Sequence, residues 1–292
     1  MPMFNGSGVA IVTPFSGGEV DFESFERLIG FHLENGTQAL IVLGTTGEAA
    51  TQTFEERGKL VSTAVEKAGG RIPVIIGTGA NYTRVAVDYT KQAEALGADG
   101  VLVVTPYYNK ATQNGLIEHY TMIANATTLP VILYNVPGRT GVNLEAKTVA
   151  ALSKVENIIG VKEASGNIGQ VLEIKRLVPE DFKIYSGNDD QIVPIYACGG
   201  NGVISVCANA IPGQTQQMCK AFMDGDVKEA LRLQLLYKHF INLLFCEVNP
   251  IPIKAALNAM GYIKDELRLP LTSMEESNRS KLLGEMKRLS II

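Results

Sequence analysis

The 292-residue chain predicts an α/β fold, a (β/α)8 TIM barrel with a C-terminal three-helix appendage. Three observations lead there: eight short apolar runs recur along the chain, amphipathic stretches separate them, and no GxGxxG follows the first run. Near-continuous Val/Ile/Leu runs imply strands buried on both faces, as in a parallel sheet covered by helices. Eight strand-helix units fit a closed barrel better than a doubly wound sheet, which usually has fewer strands and a glycine-rich first turn.

In order, the strands are expected at "GVAIVTP" (8–14), "ALIVLG" (39–44), "PVIIGTG" (73–79) and "GVLVVTP" (100–106), then "PVILYNV" (130–136), "IIGVKEA" (158–164), "FKIYSGN" (182–188) and "GVISVCAN" (202–209). The first connecting stretch, "DFESFERLIGFHLENG" (21–36), shows the helical pattern: Phe22, Phe25, Leu28, Ile29 and Leu33 share a face, and Gly36 is a stop. Beyond residue 225 the strands cease. "DVKEALRLQLLYKHFINLLFCE", "IPIKAALNAMG" and "SMEESNRSKLLGEMKRLS" read as three helices, with no Pro/Gly/Ser linker before them. The expected division is a catalytic barrel over residues 1–225 and a helical domain over 226–292.

Composition removes several classes of function. Lys+Arg number 26 against 30 Asp+Glu, so no basic surplus exists to hold a polyanion, and no nucleic-acid partner is expected. No apolar run reaches the length of a membrane span, and the opening stretch "MPMFNGSGVAIVTPF" lacks the basic n-region of a signal peptide, so no membrane partner and a cytoplasmic location are expected. Cys198, Cys207, Cys219 and Cys246 form no CxxC pair, and His32, His119 and His239 lack metal-ligand spacing; reduced thiols and no metal are expected. "ACGGNG" (197–202) and "GTGAN" (77–81) lack the lysine and serine of a P-loop and read as tight turns.

Barrels keep their chemistry at the carboxyl ends of the strands. There the runs end in Thr13, "GTTGE" (44–48), "TPYYN" (105–109), "YNVPGRT" (134–140), Lys162 and "SGNDD" (186–190), so polar and aromatic groups converge on one rim. Strict alternation puts Ile158, Gly160 and Lys162 on one face and Ile159, Val161 and Glu163 on the other, with Gly160 leaving room beside the lysine. If that face is the barrel interior, desolvation favours the neutral amine, a nucleophile able to form a Schiff base with a ketone. Glu163 is then expected to point toward the helices. From the strand alone, a lysine snorkelling to solvent or pairing structurally with a carboxylate is the plainer reading. Tyr134, one strand earlier, is expected on the same face at a similar height, placed to move protons; a rim tyrosine bonded to backbone is the plain alternative. The "GTTGE" turn offers N–H groups and hydroxyls for a small carboxylate.

Taken together and in order, "GTTGE", "TPYYN", "YNVPGRTG", "GVKEASGN", "SGNDD", "GVISV" and "NPIPIKAAL" resemble the 4-hydroxy-tetrahydrodipicolinate (dihydrodipicolinate) synthase family, within the N-acetylneuraminate lyase superfamily of class I aldolases. The resemblance spans essentially the whole chain. It implies condensation of pyruvate with L-aspartate 4-semialdehyde on the route to diaminopimelate and lysine, through a covalent imine and without a cofactor. It implies self-association as a homotetramer, a dimer of dimers. By residue it implies Lys162 as the Schiff-base lysine, with Tyr134, Thr45 and Tyr108 as proton relay, Tyr108 reaching a neighbouring subunit's site. Thr46 matches the holder of the pyruvate carboxylate, Ile204 a backbone contact to that substrate, and Arg139 the receiver of the semialdehyde carboxylate; Gly187 joins the substrate-binding set.

Asn81 and Tyr107 fit the family's lysine-feedback site, but Ala49, Phe54, Arg57 and Val85 stand where sensitive members tend to carry serine, two histidines and a glutamate. Without the acid, a ligand ammonium loses its charged partner, so weak or absent feedback is expected. Competing readings are another pyruvate aldolase of the superfamily, N-acetylneuraminate lyase or a 2-keto-3-deoxy sugar acid aldolase, and a non-catalytic keto-acid sensor. Arg139 after "YNVPG" and the paired tyrosines of "TPYYN" favour the synthase. A sensor would show no adduct on Lys162 after borohydride reduction with pyruvate.

Overall fold

The computed structural model describes residues 3–292. All eight expected runs are strands: β1 Gly6–Ala10, β2 Ala39–Val42, β3 Val74–Gly77, β4 Gly100–Val104, β5 Val131–Asn135, β6 Ile158–Glu163, β7 Lys183–Ser186 and β8 Gly202–Ser205. Each pairs in parallel with its sequence neighbours, and β1 pairs with both β2 and β8, which closes the barrel. Closure leaves no unpaired edge.

The connecting helices are α1 Phe22–Glu34, α2 Phe54–Ala68, α3 Thr83–Ala95, α4 Gln113–Ala124, α5 Ala146–Leu152, α6 Ile168–Leu177, α7 Ile192–Ala197 and α8 Pro212–Met223. Helix α1 shows how local chemistry sets its limits. Asp21 caps its start by accepting from the Ser24 N–H, and Gly36, at φ 76°, ends it in the left-handed region. A hairpin of Phe15–Ser16 with Glu19–Val20 follows β1, turning at Gly17 and Gly18; strands of two residues are too short to give an alternation signal. The three C-terminal helices are α9 Val227–Leu243, α10 Ile251–Ala259 and α11 Glu276–Arg288. Helix α9 packs on α8 and α11. Among the described residues, no helix is long and apolar enough to cross a membrane.

Two apolar cores follow from the strand alternation. One lies between sheet and helices and includes Val9, Leu40, Val74, Val101, Leu133, Val161 and Val203. The other fills the barrel with Ala39, Ile41, Ile75, Leu102, Ile132, Tyr134, Tyr185 and Ile204. Met3 and Phe4 belong to the inner core; Phe4 stacks on Tyr185 at 4.4 Å, and the Tyr185 hydroxyl donates to the Phe4 carbonyl. The interior is therefore a packed apolar column rather than a water channel.

In β6 the strict alternation expected from the sequence fails at one step. The partner register jumps from Val131↔Ile158 to Ile132↔Gly160, an irregularity that skips Ile159. Ile158 consequently joins the outer core, while Ile159 packs against the inner one. Ile158 does not share a face with Lys162, and the alternation resumes at Gly160.

Candidate active site

Beyond the irregularity, β5 and β6 run in register, Tyr134 opposite Lys162 and Asn135 opposite Glu163. Lys162 is buried, and its Nζ lies 4.2 Å from the centroid of the Tyr134 ring. On its other side Lys162 registers with Tyr185 of β7. The amine thus sits above the apolar inner core with an aromatic face beside it. This geometry disposes of snorkelling, since a snorkelling head group reaches water.

Glu163 points the other way. Its carboxylate accepts from Asn135 Nδ2, from Gln170 Nε2 at 3.0 Å and from the Ser165 N–H at 2.7 Å. This buried network outside the barrel joins β5, β6 and α6, so the acid beside Lys162 in sequence is a structural one.

The space beside Lys162 is made by a different glycine from the one expected. A Cβ on Gly160 would meet the carbonyl of Lys183 at 2.7 Å, so that glycine admits the β7 backbone. A Cβ on Gly187 would lie 3.1 Å from Lys162 Cε and 2.5 Å from Ala164 Cβ. Gly187, at the end of β7, is what leaves the lysine stem its room.

After β2 the chain turns through Thr45–Gly47, flanked by Leu43 at φ 58° and Glu48 at φ 52°. Non-glycine residues rarely adopt this left-handed backbone. The turn consumes the N–H groups of Gly47 and Glu48 on the carbonyls of Gly44 and Thr45. Fewer N–H groups are therefore free for a carboxylate than the sequence suggests; of the two hydroxyl-bearing residues, Thr45 is half-buried and Thr46 buried. Ile204, on β8, is buried among the residues of the inner core.

Arg139 follows β5 on the one-turn helix Pro137–Thr140 and is exposed. Its Nη2 donates to the backbone carbonyl of Asn249 at 3.2 Å. Among the described residues it makes no ion pair, which removes the loop salt bridge as its explanation. Tyr108 is not brought to the site of its own chain: it is 91 % exposed at φ 70° on the rim after β4.

Four residues escaped the sequence reading. Buried Asn249 donates from Nδ2 to Thr46 Oγ1 at 3.0 Å, so a single residue of the C-terminal layer touches both Thr46 and Arg139. Asp189 is buried; one carboxylate oxygen accepts from the N–H groups of Val206 and Cys207, and the other has no partner. Burial raises its pKa, against the pull of those N–H groups and of the Lys162 charge. It ties the end of β7 to the turn after β8. Lys254 and Glu48 form an ion pair with both side chains buried. The acid doublet of "SGNDD" and the lysine of "NPIPIK" are the available sequence signals, but neither reports its partner. Among the described residues, no three His, Cys, Asp or Glu side chains converge to hold a metal ion.

A closed eight-stranded barrel bearing a buried lysine and a tyrosine at matched positions on its carboxyl rim defines a barrel enzyme. The chain belongs to the dihydrodipicolinate synthetase family, whose model matches residues 3–289. It is 72% identical over 290 residues to 4-hydroxy-tetrahydrodipicolinate synthase of Alkaliphilus oremlandii (strain OhILAs), covering 99% of this chain and 100% of that protein. It is 50% identical over 293 residues to the protein of the same name from Thermoanaerobacter sp. (strain X514), covering 100% of this chain and 99% of that one. Among solved structures, dihydrodipicolinate synthase from Thermotoga maritima superposes with a TM-score of 0.98 at 47% identity, over 99% of this chain and 100% of that one.

Proposed function

We propose that the chain condenses pyruvate with L-aspartate 4-semialdehyde to 4-hydroxy-tetrahydrodipicolinate, the product for which its curated relatives are named, through an imine on Lys162 and with no cofactor. The observation that carries this reading is the buried Lys162 amine packed 4.2 Å from the Tyr134 ring inside the barrel mouth.

In its neutral form the amine attacks the pyruvate ketone carbon, and the carbinolamine loses water to give a protonated imine. The imine withdraws electrons from the methyl group, which loses a proton to give an enamine. The enamine carbon attacks the aldehyde carbon of the second substrate, forming the new C–C bond, and the resulting alkoxide takes a proton. The semialdehyde's own amine then adds to the imine carbon and expels Lys162 as the ring closes, so the one net water is that lost in imine formation. Tyr134 is the group placed to carry these protons, with Thr45 and a Tyr108 from a neighbouring subunit completing the relay. Thr46 and the Ile204 backbone hold the pyruvate carboxylate, and Arg139 receives that of the semialdehyde, where a forked guanidinium suits a carboxylate. Gly187 belongs to the same rim. Holding both partners by their carboxylates supplies orientation.

The active assembly in this reading is a homotetramer, a dimer of dimers. Supporting it, Tyr108, Tyr82 and Phe54 are exposed aromatic side chains at 91 %, 60 % and 55 %. We divide the chain into a catalytic barrel, residues 1–225, and a helical unit, residues 226–292; Gly225 at φ 88° separates α8 from α9.

Borohydride reduction in the presence of pyruvate, followed by peptide mass spectrometry, tests the chemistry. The expected result is one adduct, on Lys162, with Lys162→Ala losing both the adduct and turnover by about 10⁴-fold or more. An adduct elsewhere, full turnover in Lys162→Ala, or cleavage of N-acetylneuraminate faster than the condensation overturns the reading.

A further inference from the structure

Among the described residues, the most completely buried charged pair lies beside the turn assigned to the substrate rather than in it. Glu48 closes the Thr45–Gly47 turn in a left-handed conformation, and both of its carboxylate oxygens are engaged. Oε1 accepts from Lys254 Nζ at 2.7 Å, and Oε2 accepts from the Arg268 N–H at 3.2 Å. The lysine also donates to the Thr13 carbonyl at 3.0 Å, and its Nζ lies 4.2 Å from the Phe15 ring centroid. The Thr13 hydroxyl in turn donates to the Gly47 carbonyl at 2.7 Å. With Asn249 on the Thr46 hydroxyl, every residue from Thr46 to Glu48 is held by a group outside the turn.

Ion pairs this deeply buried contribute little net stability, because desolvation consumes most of the Coulombic gain. What the pair does supply is geometry and charge balance. It fixes a backbone conformation that a glutamate would otherwise avoid. It also neutralises a carboxylate two residues from the hydroxyl assigned to the pyruvate carboxylate.

We propose that Lys254 and Glu48 are positioning residues for pyruvate: their ion pair lets the C-terminal helical layer hold the Thr45–Thr46 turn in its carboxylate-binding shape and cancels a charge that would repel the substrate. The inference rests on the assignment of Thr46 to the pyruvate carboxylate and deepens it. Lys254 stands 206 residues from Glu48 in sequence, so α10 is a part of the substrate site.

The test uses the full chain as wild type, Lys254→Met, Glu48→Gln and the double variant. Each is titrated with pyruvate under borohydride for adduct on Lys162, with thermal unfolding in parallel. The expected result is a rise of about 10-fold or more in the pyruvate concentration for half-maximal trapping in Lys254→Met, at undiminished maximal trapping, because the turn and not the nucleophile is disturbed. In the double variant, which leaves no unpaired buried charge, the melting temperature returns toward wild type while the half-trapping concentration stays raised. Half-trapping within twofold of wild type in folded Lys254→Met, or recovery of affinity together with stability in the double variant, overturns the inference. Should Lys254→Met fail to fold, the double variant, which leaves neither charge unpaired, carries the comparison. Failure of the wild type to form any adduct on Lys162 removes the chemical assignment itself, a result distinct from an unshifted titration.

Discussion

Replacing Gly187 by alanine adds a single methyl group between the lysine stem and Ala164. The new Cβ would sit 2.5 Å from Ala164 Cβ, 3.1 Å from Lys162 Cε and 3.2 Å from the Glu163 carbonyl. Carbon atoms pack at about 3.5–4.0 Å, so the first contact falls short by about 1 Å and the second by about half that. Ala164 has no side-chain freedom with which to retreat. The strand end must therefore shift or the Lys162 stem must leave its rotamer. Overpacking of this kind costs about 1–3 kcal/mol, a fall of a few degrees in melting temperature for a chain of this size. A displacement of the amine approaching 1 Å costs about 10²-fold in rate. The assay is kcat/KM for condensation together with the rate of borohydride trapping at saturating pyruvate, and both are expected to fall while the protein remains folded. The double variant Gly187→Ala/Ala164→Gly removes the worst contact and is expected to recover most of both losses. Wild-type kcat/KM in Gly187→Ala, or no recovery in the double variant, refutes the view that this glycine exists to seat Lys162.

Other consequences follow from the buried polar groups. His32 is fully enclosed, its Nδ1 3.1 Å from the Thr37 hydroxyl, and burial lowers its pKa to about 3 from 6.5. The unfolded chain thus binds the extra proton first, so stability from this residue is intact above about pH 6.5 and is lost as pH falls, by about 2 kcal/mol at pH 5. Denaturant unfolding at the two pH values measures it, and His32→Leu is expected to flatten the difference. Glu163→Ala removes the acceptor shared by Asn135, Gln170 and the Ser165 N–H, leaving the two amides only their bonds to Asn143 and Leu144, with a loss of about 1–3 kcal/mol in unfolding free energy; calorimetry checks this. At the position expected of the lysine-feedback cleft, the Arg57 guanidinium lies 3.9 Å over the Tyr89 ring and donates to the Gly77 carbonyl. With this buried cation there, low-millimolar L-lysine is expected to leave the condensation rate unchanged, and substantial inhibition of the purified enzyme contradicts that.

Both the barrel and the buried lysine at its mouth are legible from short-range pattern. A run such as "GVLVVTP" announces burial on both faces, and Lys162 and Tyr134 each fall on the inner phase at a strand end. Alternation fails where it assumes an unbroken ladder, at Ile158 and Ile159, because an irregularity answers to the neighbouring strand's register. It also assigned the lysine's room to Gly160, its neighbour along β6, whereas the glycine that matters belongs to the adjacent strand.

By itself, then, the sequence determined the class of fold, the order of its elements, and which side chains stand at the barrel's mouth, because periodicity and turn chemistry are local properties of the chain. Tertiary structure alone decided that Asn249 bonds to Thr46 and Lys254 to Glu48, contacts spanning 203 and 206 residues. Barrel closure and the packing of α10 against the rim create those pairs, and a charge or an amide in a one-dimensional pattern carries no information about the partner that will neutralise it.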